Sequence, residues 1–417
     1  MFKTQFNLRF AIALLVLSGG TLAQAPNPEN EAPNAESQQP AFSGQTRAPE
    51  IAVEQAFELI TIAEGLEFPW AVEFLPDGSF LVTERPGRLR VIAADGSMSD
   101  PLQGLPAIDY SRQGGLMDVA LDPDFASNQT IFFSFSESAD GNANHTALAR
   151  ARLVLGSQPR LEDTQVIYRQ QPSTPSPFHF GSRIVFAADK TLLMIQGERG
   201  ADQYRPQAQA LDSLLGKLVR LNRDGSIPTD NPFAGQEGAR GEIWSYGHRN
   251  SSALAFRPGT DELWEVEHGT RGGDEINIID RGGNYGWPDA AYGIEYMGQP
   301  IAEGATTAPG TIQPVYYWDP VIAPGGMAFY NGDLFPDWKG SLFVTGLNSR
   351  YVARLTLDGQ RIVGEERLLE DVDTRWRDIA QGPDGAIYLT TDPCGNGGRC
   401  SEAERSAGRL IKLVPAP

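Results

Sequence analysis

The sequence predicts an all-β protein, a six-bladed β-propeller that occupies residues 51–417 as one domain. Two observations carry that expectation: a single turn-and-strand phrase recurs six times at intervals of blade size, and no long helical period interrupts the recurrence. A propeller uses several hundred residues around one axis, so a chain of 417 residues need not hold several domains.

From the N-terminus, residues 1–25 read as a cleavable signal peptide. Lys3 and Arg9 lead an apolar run from Phe10 to Leu17, and Ala23-Gln24-Ala25 suits a small-residue cleavage site. The run is shorter than the roughly 20 residues that span a bilayer, so no membrane anchor is expected and the location is periplasmic or secreted. Residues 26–50 are rich in Pro, Asn, Gln, Glu and Ala and nearly empty of large apolar side chains, the composition of a disordered leader. The repeated phrase then appears as FLPDGSFLVTE (74–84), LDPDFASNQTIFFSF (121–135), FAADKTLLMIQGE (186–198), FRPGTDELWEVEH (256–268), FPDWKGSLFVTGL (335–347) and QGPDGAIYLTTD (381–392). Strand centres at Val82, Phe133, Leu193, Trp264, Val344 and Tyr388 are 51, 60, 71, 80 and 44 residues apart, and the longer gaps leave room for functional insertions.

The formal net charge is −19, and loss of Lys3 and Arg9 with the signal, with no acid removed, makes it −21. Such a chain repels phosphate backbones and anionic lipid, which disfavours nucleic-acid and membrane-surface roles and favours small neutral substrates and cations. The two cysteines, Cys394 and Cys400 in PCGNGGRC, read as a local disulfide of an exported protein.

Chemistry in a propeller collects where loops from every blade meet. Of the four histidines, His145 lies in a polar stretch and reads as surface, whereas His179 (PFHFGSR), His248 (WSYGHRN) and His268 (VEHGTRGGDE) sit in Gly-flanked segments at strand edges. Arg249 and Asn250 offer a planar cation and an amide for a carboxylated or quinoid ligand. Asp274 and Glu275 beside a Gly-rich turn suit a hard cation such as calcium, or else are solvated turn residues. Arg375 and Arg377, two apart on one strand face, suit an anionic ligand.

HFGSR, GERG, LLGKLVRLNRDGSIPTDNPF, EIWSYGHRN, EHGTRGGDEINII, GGNYGWP, DPVIAPGGMAFY and RWRDIAQGPDG, spread from about Phe57 to Val414, together resemble the soluble PQQ-dependent sugar dehydrogenases of the glucose/sorbosone dehydrogenase family, in its aldose sugar dehydrogenase branch. The resemblance implies a six-bladed propeller with PQQ and Ca²⁺ as cofactors. It further implies oxidation of aldoses at the anomeric carbon to lactones, and a quinone or cytochrome as electron acceptor; it sets no oligomeric state. By the same resemblance His179 is the general base, Glu198 the carboxylate that orients it and raises its basicity, and Arg249 the cation beside the quinone, with Asn250 next to it. Gly269 and Thr270 match the pair whose main-chain carbonyls hold calcium under PQQ. His268, Asp274, Asn348, Arg375 and Arg377 match cofactor-lining positions, Gln113 a substrate-side position, and Glu275, Tyr285, Ala291, Gly293 and Glu295 a second, structural calcium site. The chain departs from the family pattern at Asn348, where lysine is frequent and Arg350 is the nearby substitute, at Ser182 in place of glycine, and at Ser251 and Ser252 in place of Pro-Gln. Two other readings compete. A calcium-dependent propeller hydrolase would use Asp274 and Glu275 on one metal, and a non-enzymatic binding propeller would not need His179 and Glu198 to meet.

Overall fold

A computed structural model describes residues 31–392, 394 and 400–417; the signal-peptide expectation falls outside them. The strands form six sheets in chain order. The first blade is β2 (Pro69–Phe74), β3 (Phe80–Glu84) and β4 (Arg88–Ile92), and the second is β5 (Leu116–Leu121), β6 (Thr130–Ser138), β7 (Asn144–Val154) and β8 (Arg160–Arg169). The third is β9 (Gly181–Phe186), β10 (Leu192–Gln196), β11 (Lys217–Leu221) and β12 (Ile243–Tyr246); the fourth is β13 (Ser251–Phe256), β14 (Leu263–Glu267), β15 (Asp274–Ile278) and β16 (Tyr316–Trp318). The fifth is β17 (Pro324–Phe329), β18 (Leu342–Gly346), β19 (Val352–Asp358) and β20 (Arg361–Leu368). The last is β21 (Trp376–Gln381), β22 (Ile387–Thr391) and β23 (Gly408–Pro415), completed on its outer side by β1 (Phe57–Leu66). Every pairing within the blades is antiparallel, and β2, β5, β9, β13, β17 and β21 touch in sequence to form the innermost ring of a six-bladed propeller.

All six strand centres read from the repeat fall on the second strand of a blade, namely β3, β6, β10, β14, β18 and β22. These strands are buried along nearly all of their length because both of their faces are covered, with consecutive apolar side chains punctuated by buried polar ones such as Thr83, Ser134, Glu265 and Thr345. Phe132 packs toward the third blade, T-shaped against Phe186 at 5.3 Å, while its neighbour Phe133 packs toward the first. The core is accordingly divided into six apolar layers, one between each pair of adjacent blades. Polar groups are buried on the axis. Arg183 of β9 pairs with Asp118 of β5 at 2.9 Å and Asp378 of β21 at 2.6 Å, and its guanidinium lies 4.9 Å from the centre of the Trp70 ring.

Where each innermost strand pairs with the second, it carries one extra residue near its start. The ladder shifts between Pro69 and Val72, Leu116 and Val119, Gly181 and Arg183, Ser251 and Ala253, Pro324 and Met327, and Trp376 and Asp378. A bulge re-aims the side chains beside it, so all six blades turn residues out of the alternating pattern at the same rim of the ring.

Residues 31–50, expected to be a disordered leader, are packed. Thr46 bridges to Tyr317 and Glu50 to Glu365, so the segment runs beside the outer strands of the fourth and fifth blades. Asn34 and Ala35 donate their N–H groups to Asp319, and the buried Gln45 side chain donates to Pro314 O at 2.8 Å. Composition misses this because the segment needs no core of its own. It is held by hydrogen bonds to sheet edges, and its buried side chains are the small ones of Ala35 and Ala48 and the hydrogen-bonded amide of Gln45. His145, expected at the surface, is buried on β7 between Ser173 and Glu137. A disulfide joins Cys394 to Cys400, as expected, with Cα atoms 5.9 Å apart. Among the described residues no helix is long and apolar enough to cross a membrane.

Arg183→Met leaves the two buried carboxylates of Asp118 and Asp378 without their shared cation, and loss of one partner of a buried pair costs about 3–5 kcal/mol. Urea unfolding of the variant should show a midpoint lowered by that amount of free energy; a change below about 1 kcal/mol would show that the axial ion pairs do not hold the ring.

Candidate active site

The bulged rim surrounds a cavity of about 340 Å³ on the propeller axis. Its walls come from all six blades and their connecting loops, and eleven of the sequence-assigned residues line it: Gln113, His179, Arg249, Asn250, His268, Gly269, Thr270, Asp274, Asn348, Arg375 and Arg377. Each sits where the topology places a rim. Gln113, His179, Arg249 and Arg375 precede innermost strands, whereas His268 and Asn348 follow second strands.

Two residues before β9, His179 adopts a left-handed backbone with φ of 49°. That conformation is unfavourable for a non-glycine residue and is held from both sides. The His179 N–H donates to Gln113 Oε1 at 2.8 Å, and the next loop approaches so closely that a Cβ at Gly197 would sit 2.2 Å from His179 O. The ring Nδ1 meets Glu198 Oε2 at 2.7 Å. Glu198 is fully buried; its Oε2 also accepts from Gly200 N at 2.8 Å, and its own N–H donates to Arg249 O at 2.9 Å. Burial would raise the Glu198 carboxyl, but the charges and N–H groups around it hold it below the usual carboxylate range. An ionised carboxylate at Nδ1 fixes the tautomer with its proton there and leaves Nε2 as the basic atom. The His179 ring itself is lowered from its ordinary value, chiefly by burial and then, against the raising effect of Glu198, by Arg249. The expected gain in basicity from Glu198 is therefore outweighed by desolvation, and the ring is neutral at neutral pH.

Arg249 Nη1 donates to His268 O at 3.0 Å, and its guanidinium lies 5.2 Å from the Trp287 ring centre. Arg377 pairs with Asp392 at 3.0 Å, so it has the partner carboxylate that its spacing with Arg375 had not suggested; Arg375 donates to Leu347 O at 2.9 Å. Asp274 accepts from Gly269 N at 2.8 Å and Ala323 N at 2.6 Å and ties the Gly-rich turn to the fifth blade. Burial pushes its carboxyl up to about 6. Arg350 does not replace the missing lysine: it pairs with Asp373 at the surface. Ser182, at the bulge of β9, has φ of 96° and a buried hydroxyl without a partner among the described residues, two costs that a glycine would not carry.

Asp274 and Glu275 do not share a site. They are consecutive on β15 and face opposite sides, Asp274 toward the axial cavity and Glu275 toward a second one of about 20 Å³. Glu275, Tyr285, Ala291 and Gly293 border that small cavity, and Glu295 does not, being salt-bridged to Arg205. The separation removes the paired carboxylates on which the hydrolase reading rested, and the His179–Glu198 contact supplies what the binding-propeller reading did without.

Sequence reasoning missed several residues of the cavity. Trp70 and Met117 lie in bulges, where the period of two fails. Arg85 directly follows β3, at the place in its blade that His268 occupies after β14, so the repeat phrase could have located it. Arg199, in GERG, is buried outside the cavity and anchors the His179 loop through Phe178 O at 3.0 Å and Asn144 Oδ1 at 2.6 Å. Tyr296, two-thirds exposed, stands at the mouth.

A neutral imidazole oriented by a buried carboxylate, at a cavity bordered by four arginines among the described residues, is an arrangement suited to proton transfer beside an anion-accepting wall. The family described as Glucose / Sorbosone dehydrogenase matches residues 66–400. Aldose sugar dehydrogenase YliI of Escherichia coli (strain K12) is 43% identical over 357 residues, which span 85% of this chain and 92% of that protein. The crystal structure of the soluble aldose sugar dehydrogenase from Escherichia coli in the apo-form matches with a TM-score of 0.80 and 42% identity, covering 86% of this chain and 100% of that one. The PQQ-bound form of the aldose sugar dehydrogenase from Streptomyces coelicolor matches with a TM-score of 0.71 and 28% identity, covering 86% and 98%. The chain belongs to the glucose/sorbosone dehydrogenase family and is a sugar dehydrogenase.

A base at His179 would act through the neutral ring, so on that assignment the acid limb of kcat/KM should lie below the ordinary histidine value near 6.5. Glu198 raises the ring's pKa, and Glu198→Gln removes that effect. The limb should therefore move to still lower pH while the plateau rate falls; a limb that moves upward or stays would separate Glu198 from the base.

Proposed function

We propose that the chain oxidises aldose sugars at the anomeric carbon to lactones with PQQ and calcium as cofactors. The observation that carries this reading is the 2.7 Å contact between His179 Nδ1 and Glu198 Oε2 at the wall of an arginine-bordered cavity. PQQ is a planar quinone with three carboxylates, and the donors present suit it. Arg249, Arg375 and Arg377 line the cavity, and the Nε of each is buried without a partner among the described residues. Asn250, His268, Asp274 and Asn348 would complete its surroundings. Gly269 and Thr270 would hold calcium through their main-chain carbonyls, beside the cavity that both residues line. The bound quinone would supply the acceptor for the two electrons and the carbon-bound hydrogen of the sugar, with calcium as the Lewis acid on its carbonyl.

The chain's own residues do the rest. His179 Nε2 takes the proton of the anomeric hydroxyl, and Glu198 stabilises the imidazolium that results through the Nδ1–H bond. Arg249 places a fixed positive charge where negative charge develops. Gln113, which holds the His179 backbone, faces the sugar side. A secretory N-terminus would place this activity in the periplasm or outside the cell, with a quinone or cytochrome taking the electrons onward.

Addition of an aldose to protein loaded with PQQ and calcium should bleach the quinone absorbance, and absence of bleaching with a panel of aldoses would overturn the reading. In single-turnover experiments His179→Ala should keep cofactor binding and lose about 10²- to 10⁴-fold in rate, about 3–5 kcal/mol of barrier. An unchanged rate would take His179 out of the reaction.

A further inference from the structure

We propose that in this chain the side-chain amide of Gln38 takes the place of the second, structural calcium. The five positions that the resemblance assigns to that ion do not fit one here. Gln38 Nε2 donates to Ala291 O at 3.1 Å and to Gly293 O at 2.9 Å, so a single N–H₂ group spans both carbonyls. Glu295 is held by the guanidinium of Arg205 through both of its oxygens. The Tyr285 hydroxyl accepts from Asp280 N at 2.6 Å and donates to Ile278 O at 2.8 Å. Calcium needs six to eight oxygens at about 2.3–2.6 Å, and an N–H donor bridging two of its carbonyls repels it from the position between them.

The amide is not a loose surface group. Gln38 N donates to Ala35 O at 3.0 Å, and Asn34 and Ala35 are pinned by their N–H groups to Asp319. The packed segment 31–50 thus delivers the donor, and the edge of the fourth blade is clamped by the chain's own N-terminal strap. Gln38→Glu is nearly isosteric and converts the donor into an acceptor. It would place a carboxylate against the carbonyls of Ala291 and Gly293 beside the small cavity that Glu275 borders, an all-oxygen set suited to a hard cation.

The test counts calcium and does not use activity, so it stands apart from the catalytic reading. Metal-free, PQQ-free protein is dialysed to equilibrium against calcium in four forms: the unmodified chain, Glu275→Gln, Gln38→Glu and the double variant. The unmodified chain and Glu275→Gln should bind the same number of ions. Gln38→Glu should bind one more and show a melting temperature that rises with calcium, and the double variant should lose that gain. Should Gln38→Glu fail to fold, Gln38→Ala frees the same carbonyls and carries the same expectation. Loss of one calcium from the unmodified chain on Glu275→Gln would overturn the proposal, because the ion would then coexist with Gln38. Absence of any gain in the folded Gln38 variant would overturn it equally.

Discussion

The pairing of β1 with β23 is the constraint on which the rest of the molecule depends. From Phe57 opposite Pro415 to Leu66 opposite Gly408, the first strand of the ring is built into the last blade. Each blade buries one apolar face against each neighbour, so an open ring would expose two such faces at once. Closure also fixes the cavity. Arg375 and Arg377 of the last blade face Arg85 of the first where that strand and the apolar layer between the two blades hold the ends together.

Desolvation then decides which groups in the cavity carry charge. Burial and the neighbouring arginines drive His268 well below the ordinary histidine range, and His179 is lowered as well. Burial raises Asp274, the one carboxylate among the described residues that lines the wall. The positive charge of the site therefore resides in its arginines, which do not give up protons, while the imidazoles stay free to accept one.

The sequence made the architecture legible because a strand covered on both faces carries consecutive apolar residues, and six such runs each preceded by a tight turn leave few alternatives to a ring of blades. The candidate site was legible through the motifs that resemble the family: His268 and Asn348 were assigned by that resemblance, and both fall just after the second strand of a blade. Three things were hidden. Trp70 and Met117 sit in bulges that break the alternation by which a face is read. Asp274 and Glu275 look like a pair in a string of letters, but a strand sends neighbours to opposite sides. Residues 31–50 have the composition of an unfolded segment and are ordered by edges that only the folded blades present. Gln38 could not be singled out beforehand, because an amide that meets two carbonyls more than 250 residues away leaves no local signal.

The positions of His179 and Glu198 have a consequence for how such a protein can change over generations. Both belong to the third blade, one before its first strand and one after its second, whereas the arginines come from the other blades. The His179–Glu198 pair is thus inherited as one short stretch of gene, and the arginines that border the cavity are scattered across the remaining stretches. Divergence in the scattered stretches can reshape the cavity wall without disturbing that pair, which gives descendants of one propeller a route to new ligands around an unchanged imidazole and carboxylate.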